Sequence, residues 1–404
     1  MRSFDDARRA LLADVKRVGI ERIALRHAAG RVLAEGLVAR EPLPRFDNSA
    51  MDGYAVAARD LEGTGPWTLP VVGESAAGAV PAPLVRESSC RVFTGAMVPA
   101  GADAVIMQED VARSGGMITF TSRPRVGAHI RRAGEDMRAG ERAVEAGTRL
   151  GPGHLALAGM LDRGELAVAR PPVVVIVCTG NELRAAGDGG DASLLAASIA
   201  ESNSAPIAAL AAQANAVVRV APIARDDPEA TVRALTDALR TTDLLLTIGG
   251  VSVGDHDVVR PALERAGVTL DFWKVAMKPG KPLAVGRSAA SHVLGLPGNP
   301  ASAMVTFALF GMPLLRTMQG DVRPLPMPLM ARLTAPRERS TERLELVRVS
   351  LAIVDGELVA HAHANQSSGA ATSLAGSDGI AAIPAGAGEL GAGARVEVFR
   401  WADF

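Results

Sequence analysis

The run Val173-Val174-Val175-Ile176-Val177-Cys178-Thr179-Gly180-Asn181-Glu182 decides the fold. Its first six residues are apolar and mostly β-branched, as in a strand buried on both faces, and a glycine turn carrying a carboxylate follows at once. Downstream the chain alternates as parallel sheets require. Residues 204–215 read as a helix and 217–223 as a strand. Asp227-Pro228 supplies an N-cap and a first-turn proline for a helix to about 240. Residues 244–248 are a strand, 258–266 a helix and 292–296 a strand, and Pro300 opens a long helix to 318.

Upstream, Ser3 caps an amphipathic helix expected over 3–18, with Phe4, Ala7, Leu11 and Val15 on one stripe. Short alternating runs at 67–72, 90–94, 104–108 and 116–121, parted by Gly and Pro, predict a small β-domain. Helical patterning returns at 153–161. The expected division is a helical domain from 1–43 and 133–170, an inserted β-domain over 44–132, an α/β domain over 171–321, and a C-terminal β-domain over 322–404.

The chain has 404 residues and a formal net charge of −1, so no whole-molecule field favours nucleic acid or an anionic membrane. Aromatics make up 3%, too few for stacking platforms. The run 173–178 is far short of the ~20 residues that span a bilayer. Asp5 and Asp6 stand where a signal peptide is basic and then apolar. Cys90 and Cys178 show no metal-type spacing, which suits a reducing, cytoplasmic compartment.

In open α/β sheets ligands bind beyond the carboxyl ends of the strands. Five unusual loops fall there: 179–182, 225–227, the glycine-rich 249–257, Lys278-Pro279-Gly280-Lys281-Pro282 and Leu296-Pro297-Gly298-Asn299-Pro300. Any one such loop is more often only a turn, and Asp227 reads as a helix cap. Together they gather Glu182, Asp226, Asp255 and Asp257 with lysines and glycine turns. At ~4 Å and an effective dielectric near 20, each carboxylate pair repels by about 4 kcal/mol, which calls for a bound cation. Mg²⁺ shared with phosphate oxygens is the common solution. The residues thus point to a phosphorylated ligand, an oxyanion and a divalent metal. Cys178 reads as core packing, and His361 and His363 as surface residues.

On these motifs the chain resembles the molybdopterin molybdenumtransferase family, which includes bacterial MoeA, the plant Cnx1 E domain and the gephyrin E domain. The resemblance also rests on 47–55 (DNSAMDGYA), Phe93-Thr94-Gly95, Gly134-Glu135-Asp136, Arg343-Leu344-Glu345 and Asn365-Gln366-Ser367-Ser368-Gly369. It implies a three-layer α/β molybdopterin-binding domain, a helical linker and dimerisation domain interrupted by the β-domain, and a β-barrel-like tail. The implied reaction inserts molybdate into adenylylated molybdopterin with Mg²⁺, forming molybdenum cofactor and releasing AMP. The implied assembly is a homodimer with a shared site, supplied by a molybdopterin adenylyltransferase partner.

Carried over, the resemblance makes Asp52, Glu182, Asp226 and Asp257 catalytic, with the last three also holding the metal. It assigns substrate and oxyanion binding to Thr94, Thr179, Gly180, Gly249, Gly250, Ser252, Gly254, Lys274, Lys278, Lys281, Pro297, Gly298, Asn299, Arg343 and Ser373. Asn181 departs from the family's usual Asp. Two alternatives stand beside this reading: a molybdopterin adenylyltransferase, and a non-catalytic scaffold that keeps the fold.

Overall fold

The computed structural model describes residues 1–188, 192–250 and 258–404, leaving aside a few side chains. Helix α1 spans Phe4–Leu12, with the Ser3 hydroxyl accepting from the Asp6 N–H. It ends six residues earlier than the periodicity suggests. Phe4, Ala7 and Leu11 pack into the α/β core and not into a separate helical unit, Phe4 meeting Phe310 edge-on at 5.3 Å. Residues 13–18 then run beside that core, where the Lys16 N–H donates to His292 Nε2 and the Val18 N–H to the Met318 carbonyl.

The inserted region forms a six-stranded sheet from β1 (Gly53–Val56), β2 (Trp67–Ser75), β3 (Ser89–Val92), β4 (Ala104–Met107), β5 (Ala112–Ser114) and β6 (Met117–Phe120), in the order β4-β1-β3-β2-β6-β5. Trp67 stacks on Phe120 at 5.6 Å over its core. The flanking segments hold helix α2 (Pro152–Met160), opened by Pro152, and pair Ile20–Ala24 with Glu165–Ala169 antiparallel.

The central sheet begins with β7, Val173–Cys178, as the sequence reading expects. Helix α3 (Ser204–Gln213), β8 (Val217–Val220), α4 (Pro228–Leu239), β9 (Leu244–Ile248) and α5 (Val259–Arg265) follow. The Asp227 carboxylate caps α4 by accepting from the Ala230 N–H at 2.6 Å. Then come β10 (Thr269–Lys274), β11 (Met277–Lys278), β12 (Pro282–Arg287) and β13 (His292–Leu296). The six-stranded order is β8-β7-β9-β13-β12-β10, with β11 outside it. The first four strands are parallel; β12 and β10 complete the sheet antiparallel. The sequence reading named no range for β10 or β12, and these two antiparallel strands make the sheet mixed at one edge.

Helix α6, Pro300–Met318, has the length and apolarity of a membrane span, and 89% of its apolar window is buried inside the protein. It is a core helix, with Phe307, Leu309, Phe310, Leu314 and Leu315 all at 0% exposure. The tail builds a barrel from β14 (Leu329–Leu333), β15 (Leu344–Val354), β16 (Glu357–Ala362), β17 (Gly379–Ile383) and β18 (Arg395–Arg400). Pairing of β15 with both β16 and β17 closes it, and β11 adds to β15 from outside. A short helix, α7 (Ala371–Ala375), lies between β16 and β17.

Candidate active site

Parallel register brings three turns side by side. Cys178 lies opposite Ile248, and Ile248 opposite Leu296, so β7, β9 and β13 end together. The Thr179 N–H donates to the Ile248 carbonyl at 3.0 Å, and the Gly249 N–H to the Leu296 carbonyl at 3.2 Å. At Gly249 (φ +92°) a Cβ would lie 2.7 Å from the Thr179 carbonyl oxygen, so only glycine allows the two turns to touch. Gly298 in turn stands against Gly249, where a Cβ would be 3.7 Å from its Cα. Pro297 is buried, while Gly298 and Asn299 are exposed at the opening of α6.

The acidic residues sit on this edge. Gly180 (φ +147°) lets the Glu182 carboxylate fold over it, since a Cβ would fall 2.5 Å from Oε2. Asp226 is held by a reciprocal pair: Asn181 N–H donates to Asp226 Oδ2, and Asp226 N–H to Asn181 Oδ1, each at 3.1 Å. The neutral Asn181 therefore anchors Asp226 without setting a second carboxylate beside it. The Arg225 guanidinium ties down the same turn by donating to the Asn181 and Leu183 carbonyls. Glu182 and Asp226 are exposed, and neither has an ion pair among the described residues.

Gly250 is described, at φ +59°, but Ser252, Gly254, Asp255 and Asp257 lie outside the described residues. Among the described residues no three His, Cys, Asp or Glu side chains converge as a metal cage. Two solvent-facing carboxylates on adjoining turns nevertheless suit Mg²⁺, which takes one or two carboxylates and completes its shell with water and phosphate oxygens. Cys178 is buried beneath the turns. Burial, and then the Glu201 carboxylate, push its thiol far above the ordinary range, so it packs and does not react.

Lysines line the neighbouring hairpin. Lys274 ends β10 opposite Pro282, and it and Lys281 are exposed with no ion pair among the described residues. Lys278 differs: its Nζ donates to Glu345 Oε1 at 3.2 Å. The α/β domain also meets the barrel at α6, where Asn299 Nδ2 donates to Ser368 Oγ and the Ala301 N–H to the Ser368 carbonyl, each at 3.0 Å.

Asp52 and Thr94 come together as a pair on the inserted sheet. Asp52 Oδ1 accepts from the Thr94 N–H at 2.8 Å and its hydroxyl at 2.9 Å. These bonds, with Arg91 nearby, hold the Asp52 carboxyl below its usual range. Among the described residues every side-chain hydrogen bond of Asp52 stays within the β-domain.

Arg343 and Ser373 are both expected oxyanion ligands, and the side chain bonded to Ser373 in the barrel is that of Arg348. Ser373 is 4% exposed, accepts from Arg348 Nε at 2.7 Å and donates to the Ala370 carbonyl at 3.0 Å. Arg343 lines a separate cavity of about 470 Å³ beside Lys278. Arg348 itself is 0% exposed, and its Nη2 donates to the Asn365 and Ser367 carbonyls. Its Nη1 is buried without a hydrogen-bond partner, and burial, with Arg337 adding to it, lowers its pKa. Sequence reasoning missed Arg348, although a charged residue inside the apolar run 344–354 was a visible signal.

Adjoining glycine turns, exposed carboxylates and lysines beyond parallel strands define a class: an α/β enzyme domain that receives an anionic, phosphorylated ligand. Family models extend this along the chain. Residues 2–161 match the MoeA N-terminal region (domain I and II), 175–317 the probable molybdopterin binding domain, and 330–401 the MoeA C-terminal region (domain IV). A molybdopterin molybdenumtransferase of Haemophilus influenzae is 38% identical over 80% of this chain and 78% of its own. Molybdopterin molybdenumtransferase 2 of Mycobacterium tuberculosis is 36% identical over 99% of both chains. A crystal structure of a molybdopterin biosynthesis MoeA protein from Pyrococcus horikoshii superposes with a TM-score of 0.84 at 28% identity, over 99% of this chain and 100% of its own. The chain belongs to the molybdopterin molybdenumtransferase family.

Proposed function

We propose that this enzyme inserts molybdate into adenylylated molybdopterin and releases AMP, with Mg²⁺ as cofactor. The observation that carries the reading is the joined edge, where Glu182 and Asp226 stand on turns locked to the glycine turns after β7, β9 and β13. Backbone N–H groups of such turns suit phosphate oxygens, and Lys274 and Lys281 add charge. Glu182 and Asp226 are the residues that would hold Mg²⁺, which when bound offsets the charge on the phosphoanhydride. They also orient the water or oxyanion that meets the anhydride. In the barrel, the orphaned Nη1 of Arg348, which is bonded to Ser373 through Nε, supports Arg348 as a further oxyanion ligand. The matches to N- and C-terminal family regions favour this reaction over a stand-alone adenylyltransferase, and the intact acidic pair favours it over a scaffold.

The deciding assay mixes the purified chain with adenylylated molybdopterin, molybdate and Mg²⁺ and measures AMP. Release that needs all three components is expected; release without molybdate, or none at all, removes the reading.

We further propose a homodimer in which Asp52 and Thr94 complete the partner's edge, and a cytoplasmic location, which the two buried free cysteines suit. A molybdopterin adenylyltransferase is the class of enzyme that supplies the substrate. Asp52→Asn and Glu182→Gln chains, each inactive alone, are co-expressed with different tags. The doubly tagged dimer then holds one site with both residues intact and should recover about half of wild-type AMP release. No recovery sinks the shared site.

A further inference from the structure

Lys278 reaches the barrel through backbone register. The hairpin between β10 and β12 leans outward, β11 pairs parallel with β15, and Lys278 falls opposite Glu345. The Leu344 N–H donates to the Ala276 carbonyl at 3.0 Å and fixes the approach. The Glu345 side chain is 11% exposed and that of Lys278 56%. Besides the Lys278 bond at 3.2 Å, Arg337 Nε lies 3.9 Å from Glu345 Oε2. One carboxylate thus faces two cations.

Two cavities meet at this triad, and Lys278, Arg337 and Glu345 line both. One, of about 470 Å³, opens past Arg343; the other, of about 270 Å³, reaches Gln366 and Ser367. The second is backed by the loop whose Asn365 and Ser367 carbonyls accept from Arg348. An anion in either cavity meets the same two cations, which Glu345 already holds.

We propose that Glu345 is a built-in competing anion that weakens oxyanion binding at Lys278 and Arg337. This rests on the oxyanion reading given above. An arriving anion must displace the carboxylate, at a cost that is the same for every anion, or bind beside it, where repulsion grows with the anion's own charge. Glu345 therefore lowers affinity for every anion, and for a dianion at least as much as for a monoanion. A merely structural ion pair at the domain seam predicts the opposite: its loss leaves anion affinity unchanged or weakens it.

The test uses the full chain and titrates molybdate and nitrate separately at one low ionic strength, by calorimetry. Glu345→Gln is expected to tighten molybdate by about two- to fivefold, the range of a partly exposed ion pair. Nitrate should tighten as well, by no larger a factor than molybdate. Both gains should vanish when Lys278→Ala is added. Unchanged or weaker molybdate binding by a folded Glu345→Gln protein overturns the proposal. If that variant does not fold, Glu345→Asp, which draws the carboxylate back by one methylene, takes its place; molybdate binding no tighter than wild type then overturns the proposal. A wild-type chain that binds no molybdate under any of these conditions defeats the oxyanion reading itself.

Discussion

Arg170 and Asp243, at the amino ends of β7 and β9, form a bidentate pair with both bonds at 2.7 Å, and Asp243 also accepts from the Val173 N–H. Glu182 and Asp226, beyond the carboxyl ends of the same sheet, have no ion pair among the described residues. Around the amino ends Arg287 likewise pairs with Asp14 at 2.7 Å, whereas Lys274 and Lys281 at the other end have no ion pair among the described residues. Burial raises the Asp243 pKa, but the Arg170 and Val173 bonds outweigh it and hold the carboxyl below its usual range. One end of the sheet therefore spends its charges on the fold. The other keeps them for something that arrives.

Substitution at each end separates the two uses. Glu182→Gln and Asp226→Asn are expected to lower AMP release by about a hundredfold or more, the weight of a few kcal/mol of transition-state charge stabilisation. Their melting should stay near wild type, within about 0.5 kcal/mol, as for other exposed loop changes. Asp243→Ala should do the reverse. It strands a partly buried guanidinium and an N–H, lowering stability by about 2–4 kcal/mol while each folded molecule keeps its turnover. Chemical denaturation and AMP assays on the three variants check this, and a stability loss in Asp226→Asn matching that of Asp243→Ala would break the contrast.

A smaller effect is expected from Lys281→Ala. An exposed ammonium at the strand ends should contribute about threefold or less to nucleotide affinity at physiological salt and more at low salt. Titrations of AMP at two ionic strengths read it out. Identical curves for variant and wild type would make Lys281 an ordinary solvated residue.

The smallest effect belongs to His292, back at the paired end. Burial, followed by the Arg287 charge, lowers its pKa, with Asp14 opposing and Lys16 adding to the shift. Its Nε2 accepts from the Lys16 N–H, which requires the neutral ring. The unfolded chain binds a proton near pH 6.5, while the folded chain resists until lower pH. Stability should therefore be full above pH 6.5 and decline as pH falls through the window below it. The slope cannot exceed about 1.4 kcal/mol per pH unit for one proton. Denaturation midpoints across that window should flatten in His292→Gln; an unchanged slope would assign the dependence to other groups.

Much of the fold was legible residue by residue. The strands 173–178, 244–248 and 292–296 match the structure end to end, because continuous β-branched and aliphatic runs have no other stable use in a parallel sheet. The Ser3 and Asp227 caps were also legible, since a side-chain acceptor beside free N–H groups is a local affair. The length of α1 was not. Its stripe continues to Val15, yet the chain leaves the helix at Leu12 to run past His292 and Met318, distant residues that local periodicity does not register. Strand β10 escaped for a related reason: as an edge strand made by pairing with β12, it has a mixed composition.

Residue identity and order were enough for the kind of chemistry: which carboxylates, glycines and lysines exist, and that they follow strands whose ends must align. Only the tertiary structure decided how those groups are shared out. It joined Asn181 to Asp226, paired Lys278 with Glu345 across two domains, and set Arg348 beside Ser373. Each of those contacts spans 25 to 67 residues of chain. Local pattern carries no information across such separations, because strand order and register, not sequence neighbourhood, choose which side chains meet.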